Sequence, residues 1–483
     1  MPTRFRAPSE NRSFLAEPPR SDWPECVAAN RQKSLAANRL AEIRNQLRAE
    51  LVPLLLAENP SASADAILSL KQACHDQRPI IVTGHQPELY HPGVWVKNFA
   101  TQALAQQVGG IGLHLIVDND TVKSTALRLP IWTGDDPTSV RIAALPFDRP
   151  DMEMPYELRR IEDPDCFREF PHRVAELTAN WGYEPILHRI WPKQVATRNQ
   201  TLSRCFIQLR RVCEQEWGCV NWELPVSRLA KTGAFQRFVQ SILDDLPRFQ
   251  KQYNFAVLDY RQRHRIRSRH HPVPLLETDE APFWGSTESG RRSRFFRSES
   301  FSLDAVRPRA LTLTLFARLF LGDFFIHGIG GGKYDEVTDA IIRNYYRLEP
   351  PRFAVLSATL FLPLPYFPLP EPDSRWLARR HRDLFWNPQR YVDNAEASKA
   401  EKQRLIASEP QDHLGRRRWF QQLRAATEGL RTLVKDQLQA MESAELLAKQ
   451  REWAVKLQQR RDYSWVLYPD KELRPFLQSF LNM

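Results

Sequence analysis

The chain has 483 residues, 42% of them hydrophobic, and includes 13 Trp and 26 Phe. This composition excludes an intrinsically disordered protein and is sufficient for a large buried core. The formal net charge is +11, and basic residues cluster at 261–269, 291–297 and 416–418. These clusters can hold an anionic substrate or form solvated faces. No recognised nucleic-acid motif accompanies them, so we favour solvated faces over nucleic-acid binding and expect no nucleic-acid partner.

Neither secretion nor membrane insertion is predicted. The first 19 residues mix Arg and Glu without an apolar segment, which is not the pattern of a signal peptide. The most apolar stretch, 311–325, contains Arg318 and Asp323 and is shorter than a bilayer span of about 20 residues. The six cysteines form no Cys-x-x-Cys pair, so neither a metal site nor a disulfide framework is expected. These features together favour a cytoplasmic location.

The first 78 residues are predicted to form a basic leader followed by helices. Between positions 35 and 56, leucine and isoleucine side chains recur at helical spacings of three and four, and Pro60 ends this helix. Ser61 or Ser63 is positioned to cap a second short helix that runs through Cys74.

Residues 79–394 are predicted to form an α/β core with a parallel sheet and a helical insertion at about 170–265. Three strand-like runs each lead into a polar or glycine-rich segment: Ile80–Thr83, Leu113–Val117 and Phe324–Ile326. Gly84 is predicted to permit a sharp turn after the first run. Because ligands bind beyond the carboxyl ends of strands in open α/β sheets, these three segments are expected to form one site.

The candidate residues of that site follow directly from the three strand ends. Histidine titrates near neutrality and can transfer protons, while glycines before a helix allow backbone amides to approach an anion. The residues predicted to act in catalysis are His85, His91, Asp118 and Asp120. The residues predicted to bind substrate or an anion are Thr83, Gly84, Gln86, His327, Gly328, Gly330, Gly331, Gly332, Lys333 and Asp335.

Each of these residues also has a structural interpretation. His85 can be a hydrogen-bonded histidine that shapes the turn, Asp118 can cap the following segment, and Asp120 can face water. The glycines can serve a tight strand-to-helix turn, and Asp335 can complement the helix dipole. Lys333 is followed by Tyr334 rather than Ser or Thr, which excludes a Walker A motif.

Residues 395–462 are predicted to form a helical hairpin. A charged helix to about Ser408 is followed by a break at Pro410 and Gly415, and then by one long helix from Arg416 to about Arg461. Apolar residues of this helix keep approximately heptad spacing, which predicts an antiparallel coiled coil that packs on itself or on a second subunit. The aromatic tail, 463–483, is expected to pack on the core.

The motif Val82-Thr83-Gly84-His85-Gln86-Pro87, the acidic strand end at 118–120, the glycines at 328–332 and the late coiled coil occur in an order that resembles one known family. These are the putative cysteine-adding ligases of bacillithiol synthesis, the BshC family. Members typically have Thr-Gly-Gln-Gln at the first strand end, whereas His85 replaces the first Gln here. The family's strand-end histidine and the proline of its glycine loop are also missing.

The resemblance implies a Rossmann-like core with helical insertions, a coiled-coil arm and a homodimer. It also implies a small-molecule substrate and a reaction that joins a cysteine carboxyl group to an amino-sugar amine. His85 or His91 would then transfer protons, Asp118 and Asp120 would hold the amine, and residues 330–333 would hold an anionic group. ATP is plausible for such a ligase, although no nucleotide motif is present. Two alternatives stay open: another nucleotide-using enzyme, and a scaffold protein that uses the basic coiled coil.

Overall fold

The computed structural model describes residues 5–36, 38–134, 136–150, 153–191, 200–299, 302–365 and 367–482, with the backbone alone at 34–36 and 38–39. The chain divides into two compact units. The first unit comprises Met1–Leu129, Ala144–Pro363 and Arg461–Met483, and the second comprises Pro130–Ala143 and Leu364–Arg460. The predicted arm at 395–462 lies in the second unit, except for its last two residues.

The strands, in chain order, are β1 (Phe14–Glu17), β2 (Ile80–His85), β3 (Ile111–Ile116), β4 (Ala126–Ile131), β5 (Arg141–Pro146), β6 (Trp222–Pro225), β7 (Glu280–Ser286), β8 (Arg292–Phe296), β9 (Arg307–Pro308), β10 (Phe324–His327) and β11 (Phe353–Ala358).

The helices are α1 (Trp23–Ala36), α2 (Asn38–Glu58), α3 (Ala64–His75), α4 (Pro92–Gln107), α5 (Pro164–Thr178), α6 (Leu187–Ile190), α7 (Leu202–Glu216), α8 (Val226–Leu229), α9 (Gly233–Asp244), α10 (Leu246–Arg263), α11 (Ala310–Phe316), α12 (Ile329–Ile341), α13 (Ser374–Trp386), α14 (Glu396–Ala407), α15 (His413–Leu433), α16 (Lys435–Gln458) and α17 (Asp470–Gln478).

A six-stranded sheet organises the first unit, with strand order β1-β11-β10-β2-β3-β6. All neighbours pair in parallel except β1, which pairs antiparallel with β11 at one edge. Strands β2, β3 and β10 consist mainly of apolar residues. This composition is typical of a parallel sheet that helices cover on both faces. The predicted α/β class and the three predicted strands, which correspond to β2, β3 and β10 in one parallel sheet, are therefore confirmed.

Chain order reverses at the centre of this sheet. From β2 the chain continues through α4 to β3 and later to β6 on one side, whereas β10 and β11 are added on the other side. The carboxyl ends of β2 and β10 therefore form a topological switch point, where side chains of adjacent strands diverge and a ligand crevice opens.

Helix α4 is the most deeply buried helix that contacts the sheet. It packs against β2, β3 and β11, and the C-terminal helix α17 packs on it. Residues Trp95 to Ala105 are buried, including the polar side chains Lys97 and Asn98. Gly93 explains the close approach of α4 to β11, because a Cβ there would lie 1.9 Å from the carbonyl oxygen of Ala358.

Several local predictions are confirmed and others are wrong. Ser63 caps α3, since its side chain accepts a hydrogen bond from the amide of Ala66. The predicted turn at Gly84 is wrong, because Gly84 and His85 belong to β2. The predicted helical insertion contains the sheet strand β6, and the leader contains the edge strand β1. The glycines after Gly328 form the first turn of α12 rather than a loop.

The second unit is mainly helical. Helix α13 packs on α16 and α14 packs on α15. A small apolar cluster that includes Val140 and Val455 joins α16 to the segment before β5. The predicted uninterrupted helix from 416 to 461 is wrong, because Val434 separates α15 from α16. Large apolar side chains of this unit stay exposed: Trp386, Leu414, Phe420, Leu433, Leu446 and Trp453. Among the described residues of the whole chain, no helix combines the length and apolarity that a bilayer crossing requires.

Candidate functional site

A cavity of about 780 Å³ lies at the switch point of the sheet, entirely within the first unit. The ends of β2, β3, β10 and β11 contribute His85, Val117, His327 and Ser357 to its walls. A cavity of this size is within the usual range for a small-molecule site, about 300–1,000 Å³. The three predicted strand ends therefore converge on one cavity, and part of the predicted residues line it.

Five cationic side chains line the described walls of this cavity: Lys97, Lys123, Arg292, Arg309 and Arg461. Three of them form ion pairs with carboxylates, Lys123 with Glu88, Arg292 with Asp120 and Arg309 with Glu280. A charged group acts more strongly in a partly enclosed site with low-dielectric walls than in bulk water, so these side chains can contact an anionic ligand.

Two helices begin at the cavity. Helix α4 follows His91, and α12 follows Gly328, and neither N-terminus has a side-chain capping hydrogen bond. The first amides of a helix lack intrahelical acceptors, and the helix dipole adds roughly half a positive charge there. Both ends therefore add to the positive potential of the cavity.

His85 is arranged as a neutral proton acceptor. Burial, followed by the charge of Lys97, holds the pKa of His85 well below its ordinary value. Its Nδ1 lies 2.9 Å from the carbonyl oxygen of Gln86. Because a carbonyl oxygen can only accept, Nδ1 carries the proton and Nε2 keeps the free lone pair. The ring also contacts Tyr90 edge-on, with 4.7 Å between centroids.

His91 lines the same cavity at the start of α4. Burial lowers the pKa of His91 to about 4, with a further contribution from the charge of Arg461. Its Nδ1 is buried without a hydrogen-bond partner among the described residues. His91 is therefore neutral at physiological pH and has hydrogen-bonding capacity that a ligand can use.

Asp120 connects the ends of β2 and β3 to the small sheet β8-β7-β9. Gln86 Nε2 donates to Asp120 Oδ2 at 2.9 Å, and Arg292 Nη1 donates to Asp120 Oδ1 at 2.9 Å. A carboxylate accepts up to about four hydrogen bonds, so Asp120 keeps capacity for an additional donor. The predicted pairing of Gln86 and Asp120 in one site is observed.

Two arginines contact the ring of Trp284 on the cavity wall. The guanidinium carbon of Arg309 lies 4.3 Å and that of Arg292 lies 4.8 Å from the ring centroid. Arg309 Nη2 also donates to Glu280 Oε1 at 2.8 Å. Burial acts to raise the pKa of Glu280, but hydrogen bonds from arginines lower it to about 2, so this pair is fully ionised.

Lys97 is a cavity residue that the sequence prediction missed. It lies two turns into α4, only 3% exposed, and its Nζ donates to the carbonyl oxygen of Gly84 at 2.8 Å. Burial lowers the pKa of Lys97 to about 7. The sequence contains one signal that could have identified it, since Lys97 directly follows the apolar residues Val94–Val96 in a helix whose neighbouring residues are mostly apolar. Arg292, Arg309 and Arg461 were missed because they lie far from the strand-end motifs in sequence.

Asp118 does not share the cavity with Asp120. Residues Leu115, Val117 and Asn119 line the switch-point cavity, whereas Ile116 and Asp118 line a separate cavity of about 940 Å³. Alternation along β3 places Leu115 and Ile116 on opposite faces of the sheet. Because β3 ends at Ile116 and the chain turns at residues 118–119, Asp120 does not stay on the side of Asp118. Asp118 is buried and accepts hydrogen bonds from the amide and hydroxyl groups of Ser227. Burial raises the pKa of Asp118 to about 7.

Three further predicted residues, Thr83, Gly332 and Lys333, do not line the described cavity. The buried hydroxyl group of Thr83 donates to the carbonyl oxygen of Ile326 at 2.9 Å and so joins β2 to β10. A Cβ at Gly332 would lie 2.3 Å from Val355, so this glycine serves packing. Lys333 is exposed and does not line the described cavity. The predicted role of Lys333 in anion binding is therefore not supported by its position.

Asp335 belongs to a buried ionic cluster behind the cavity. Its Oδ2 lies 3.0 Å from Arg318 Nη1 and 2.6 Å from His327 Nε2. Burial acts to raise the pKa of Asp335, but the charges of His327 and Arg318 hold it below its ordinary range. His327 also lines the cavity, so Asp335 orients His327 rather than contacting a ligand itself.

Among the described residues, no group of three or more His, Cys, Asp or Glu side chains is placed to hold a metal ion. No protein-family model matches the chain, and no curated protein matches it either.

Proposed function

We propose that this protein is a cytoplasmic acid–amine ligase, a remote relative of the cysteine-adding enzymes of bacillithiol synthesis with a Rossmann-like core. Its reaction would join the carboxyl group of a cysteine-like amino acid to an amino-sugar amine. The observation that carries this proposal is that one cavity collects His85, Gln86, His91, Asp120 and the start of α12 from distant parts of the chain. A condensation requires such an arrangement, because two substrates must meet beside a proton acceptor.

Each charged or titratable group of the cavity has a separate proposed role. Asp120 is proposed to hold the amine, since its carboxylate keeps free acceptor capacity beside Gln86 and Arg292. The cationic side chains and helix N-termini are proposed to hold the carboxylate-bearing substrate. As the amine nitrogen attacks the acyl carbon, Nε2 of neutral His85 would take the proton that the nitrogen loses. Amide formation from a free carboxylate needs an activated acyl group, and ATP is the co-substrate to test. Transfer of its terminal phosphoryl group to the carboxylate would release ADP, and the attacking amine would then displace inorganic phosphate from the acyl carbon.

The test is product formation from cysteine, an amino sugar and ATP, followed by mass spectrometry. We expect a cysteinyl amino sugar from the wild-type protein and a loss of at least about 100-fold in His85→Ala, the usual scale of general-base catalysis. Lys333→Met is the control, because Lys333 is exposed outside the cavity. Failure of the wild-type protein to form this product with any amino sugar, or unchanged activity of His85→Ala, would contradict the proposal.

A nucleotide-using enzyme of a different reaction class is the second candidate. Its support is that the aromatic residues Tyr253, Trp284 and Tyr334 line the same cavity as the cationic residues, since a nucleotide presents a ring system and phosphates to a site. ATP turnover without any amino sugar, abolished in Arg309→Met, would favour this candidate over the ligase.

Assembly is proposed to involve the second unit. This unit exposes three large aromatic side chains: Trp386, Phe420 and Trp453. Exposed apolar side chains of this size often mark an interaction surface, and here they suit a coiled-coil contact with a second subunit. Light scattering of the purified protein should give the mass of a homodimer, and Phe420→Glu should reduce it to that of a monomer. A scaffold function would instead be supported if substitution of Arg416–Arg418 removed a partner contact while no small molecule bound.

A further inference from the structure

Lys97 differs from the other buried cations of the first unit. Arg159, Arg210, Arg309 and Arg318 each form an ion pair with a carboxylate. Among the described residues Lys97 has no carboxylate partner, and its hydrogen-bond acceptor is the carbonyl oxygen of Gly84. A buried charge is expensive unless it is paired. Because Lys97 lines a cavity, the missing negative charge can come from a ligand.

The surroundings of Lys97 define which anion fits. Lys97 lies between the end of β2 and Gly328, where a Cβ would be 4.0 Å from its Cε. The uncapped N-termini of α4 and α12 line the same cavity. A planar carboxylate is best matched by the two-pronged guanidinium group of arginine, whereas a lysine point charge with backbone amides suits a tetrahedral phosphoryl group.

Gly330 supports this interpretation independently of charge. It lines the cavity at the start of α12, and a Cβ built there meets nothing within 4 Å. In contrast, a Cβ at Gly331 would lie 2.8 Å from His327 Nδ1. Packing therefore requires Gly331 but not Gly330. The small size of Gly330 leaves space and an accessible backbone amide on the cavity side of the helix.

We propose that Lys97, the first turn of α12 and the start of α4 form a subsite for the phosphoryl group of a substrate. This inference deepens the proposed function and rests on it in taking this cavity as the substrate site. The phosphoryl group could belong to a nucleotide or to a phosphorylated amino sugar, and both present the same tetrahedral dianion to Lys97.

Proton uptake is a specific signature of this subsite. Burial lowers the pKa of Lys97 to about 7, so at pH 8.5 the free protein holds this amine mainly in its neutral form. A bound dianion favours the ammonium form and raises the pKa of Lys97. Binding at pH 8.5 should therefore take up close to one proton per site, and affinity should fall as the pH rises above 7.

The experiment is calorimetric titration of the full-length protein with inorganic phosphate, ATP and glucosamine 6-phosphate at pH 8.5. Two buffers of different ionisation enthalpy report the proton uptake. We expect Lys97→Met to weaken binding at least tenfold and to abolish the uptake. Gly330→Leu should block the subsite sterically, and Lys333→Met should bind like the wild type. Whichever of ATP and glucosamine 6-phosphate binds more tightly identifies the source of the phosphoryl group.

Three results would overturn the inference: absence of binding of every phosphate compound to the wild type at millimolar concentration, unchanged binding by Lys97→Met, or unchanged binding by Gly330→Leu. Circular dichroism verifies that each variant is folded, and Gly330→Leu provides the decision if Lys97→Met does not fold. Phosphate binding without ligase activity would refute the proposed function and leave this subsite intact. Ligase activity without phosphate binding would refute the subsite and leave the proposed function intact.

Discussion

Replacing Lys97 by Met should change how stability depends on pH. The ordinary lysine pKa is 10.5, and burial lowers that of Lys97 to about 7. Between these values the unfolded chain holds a proton that the folded chain has released. Raising the pH therefore stabilises the wild-type protein by about 1.4 kcal/mol per pH unit in this window, and Lys97→Met loses this dependence.

The magnitude at neutral pH follows from the same pKa values. At pH 7 the folded wild-type protein bears a cost of about 4 kcal/mol for burying this amine. The variant loses the hydrogen bond to Gly84, which costs about 1–3 kcal/mol because an acceptor is left unsatisfied. Lys97→Met should therefore be more stable than the wild type by about 1–3 kcal/mol at pH 7, and this advantage should disappear near pH 9.

The assay is urea unfolding at pH 7, 8 and 9, monitored by hydrogen–deuterium exchange of peptides from α4. Peptide resolution is needed because the chain has two compact units, and a whole-chain signal would combine their transitions. Lys333→Met is the matched control, since its exposed lysine should leave the pH dependence unchanged. Wild-type and Lys97→Met curves that stay parallel from pH 7 to pH 9 would refute the reasoning.

Three further predictions concern stability and use the same unfolding assay, which for Asp118 is run from pH 4 to pH 7. Gly332→Ala should destabilise the first unit by about 1–3 kcal/mol, because its Cβ would lie 2.3 Å from a valine of β11. The matched Gly330→Ala should be neutral or stabilising by up to about 1 kcal/mol, and equal effects would contradict this account. Burial raises the pKa of Asp118 from 3.8 to about 7, so wild-type stability falls by about 1.4 kcal/mol per unit as the pH rises through that window. Asp118→Asn should remove this fall, and an unchanged slope would count against a buried, titrating carboxylate. Arg318→Met should cost about 3–5 kcal/mol by leaving Asp335 without its arginine partner, and a loss below about 1 kcal/mol would show that this pair is dispensable.

Local sequence patterns predicted the central strands and their order of appearance. Continuous apolar runs such as Ile80–Val82 are typical of strands that are buried on both faces, and glycine or polar residues mark their carboxyl ends. The cap at Ser63 was also predictable from local sequence, because capping depends on residues within one turn. Edge strands β1 and β6 were missed, since each contains a glutamate and lacks a continuous apolar run, and each gains its pairing partner from a distant segment.

The candidate site was predictable only in part. His85, Gln86, His91 and Asp120 converge because parallel pairing of β2 and β3 follows from their sequence neighbourhood. The alternation of side chains along β3 and its following turn sends Asp118 to a different cavity. Sequence spacing alone does not reveal on which face that alternation begins.

The amino-acid sequence by itself determined the α/β class, the position of the central strands and the polar strand ends at 83–87, 118–120 and 327–332, because each depends on residues close together in the chain. Tertiary structure alone decided which of those polar groups share a cavity, and it added Lys97, Arg292 and Arg309 to them. Burial and ion pairing arise from contacts between segments far apart in the chain, such as Asp120 and Arg292, whose hydrogen bond joins residues 172 positions apart. The order of strands in the sheet brings such segments together.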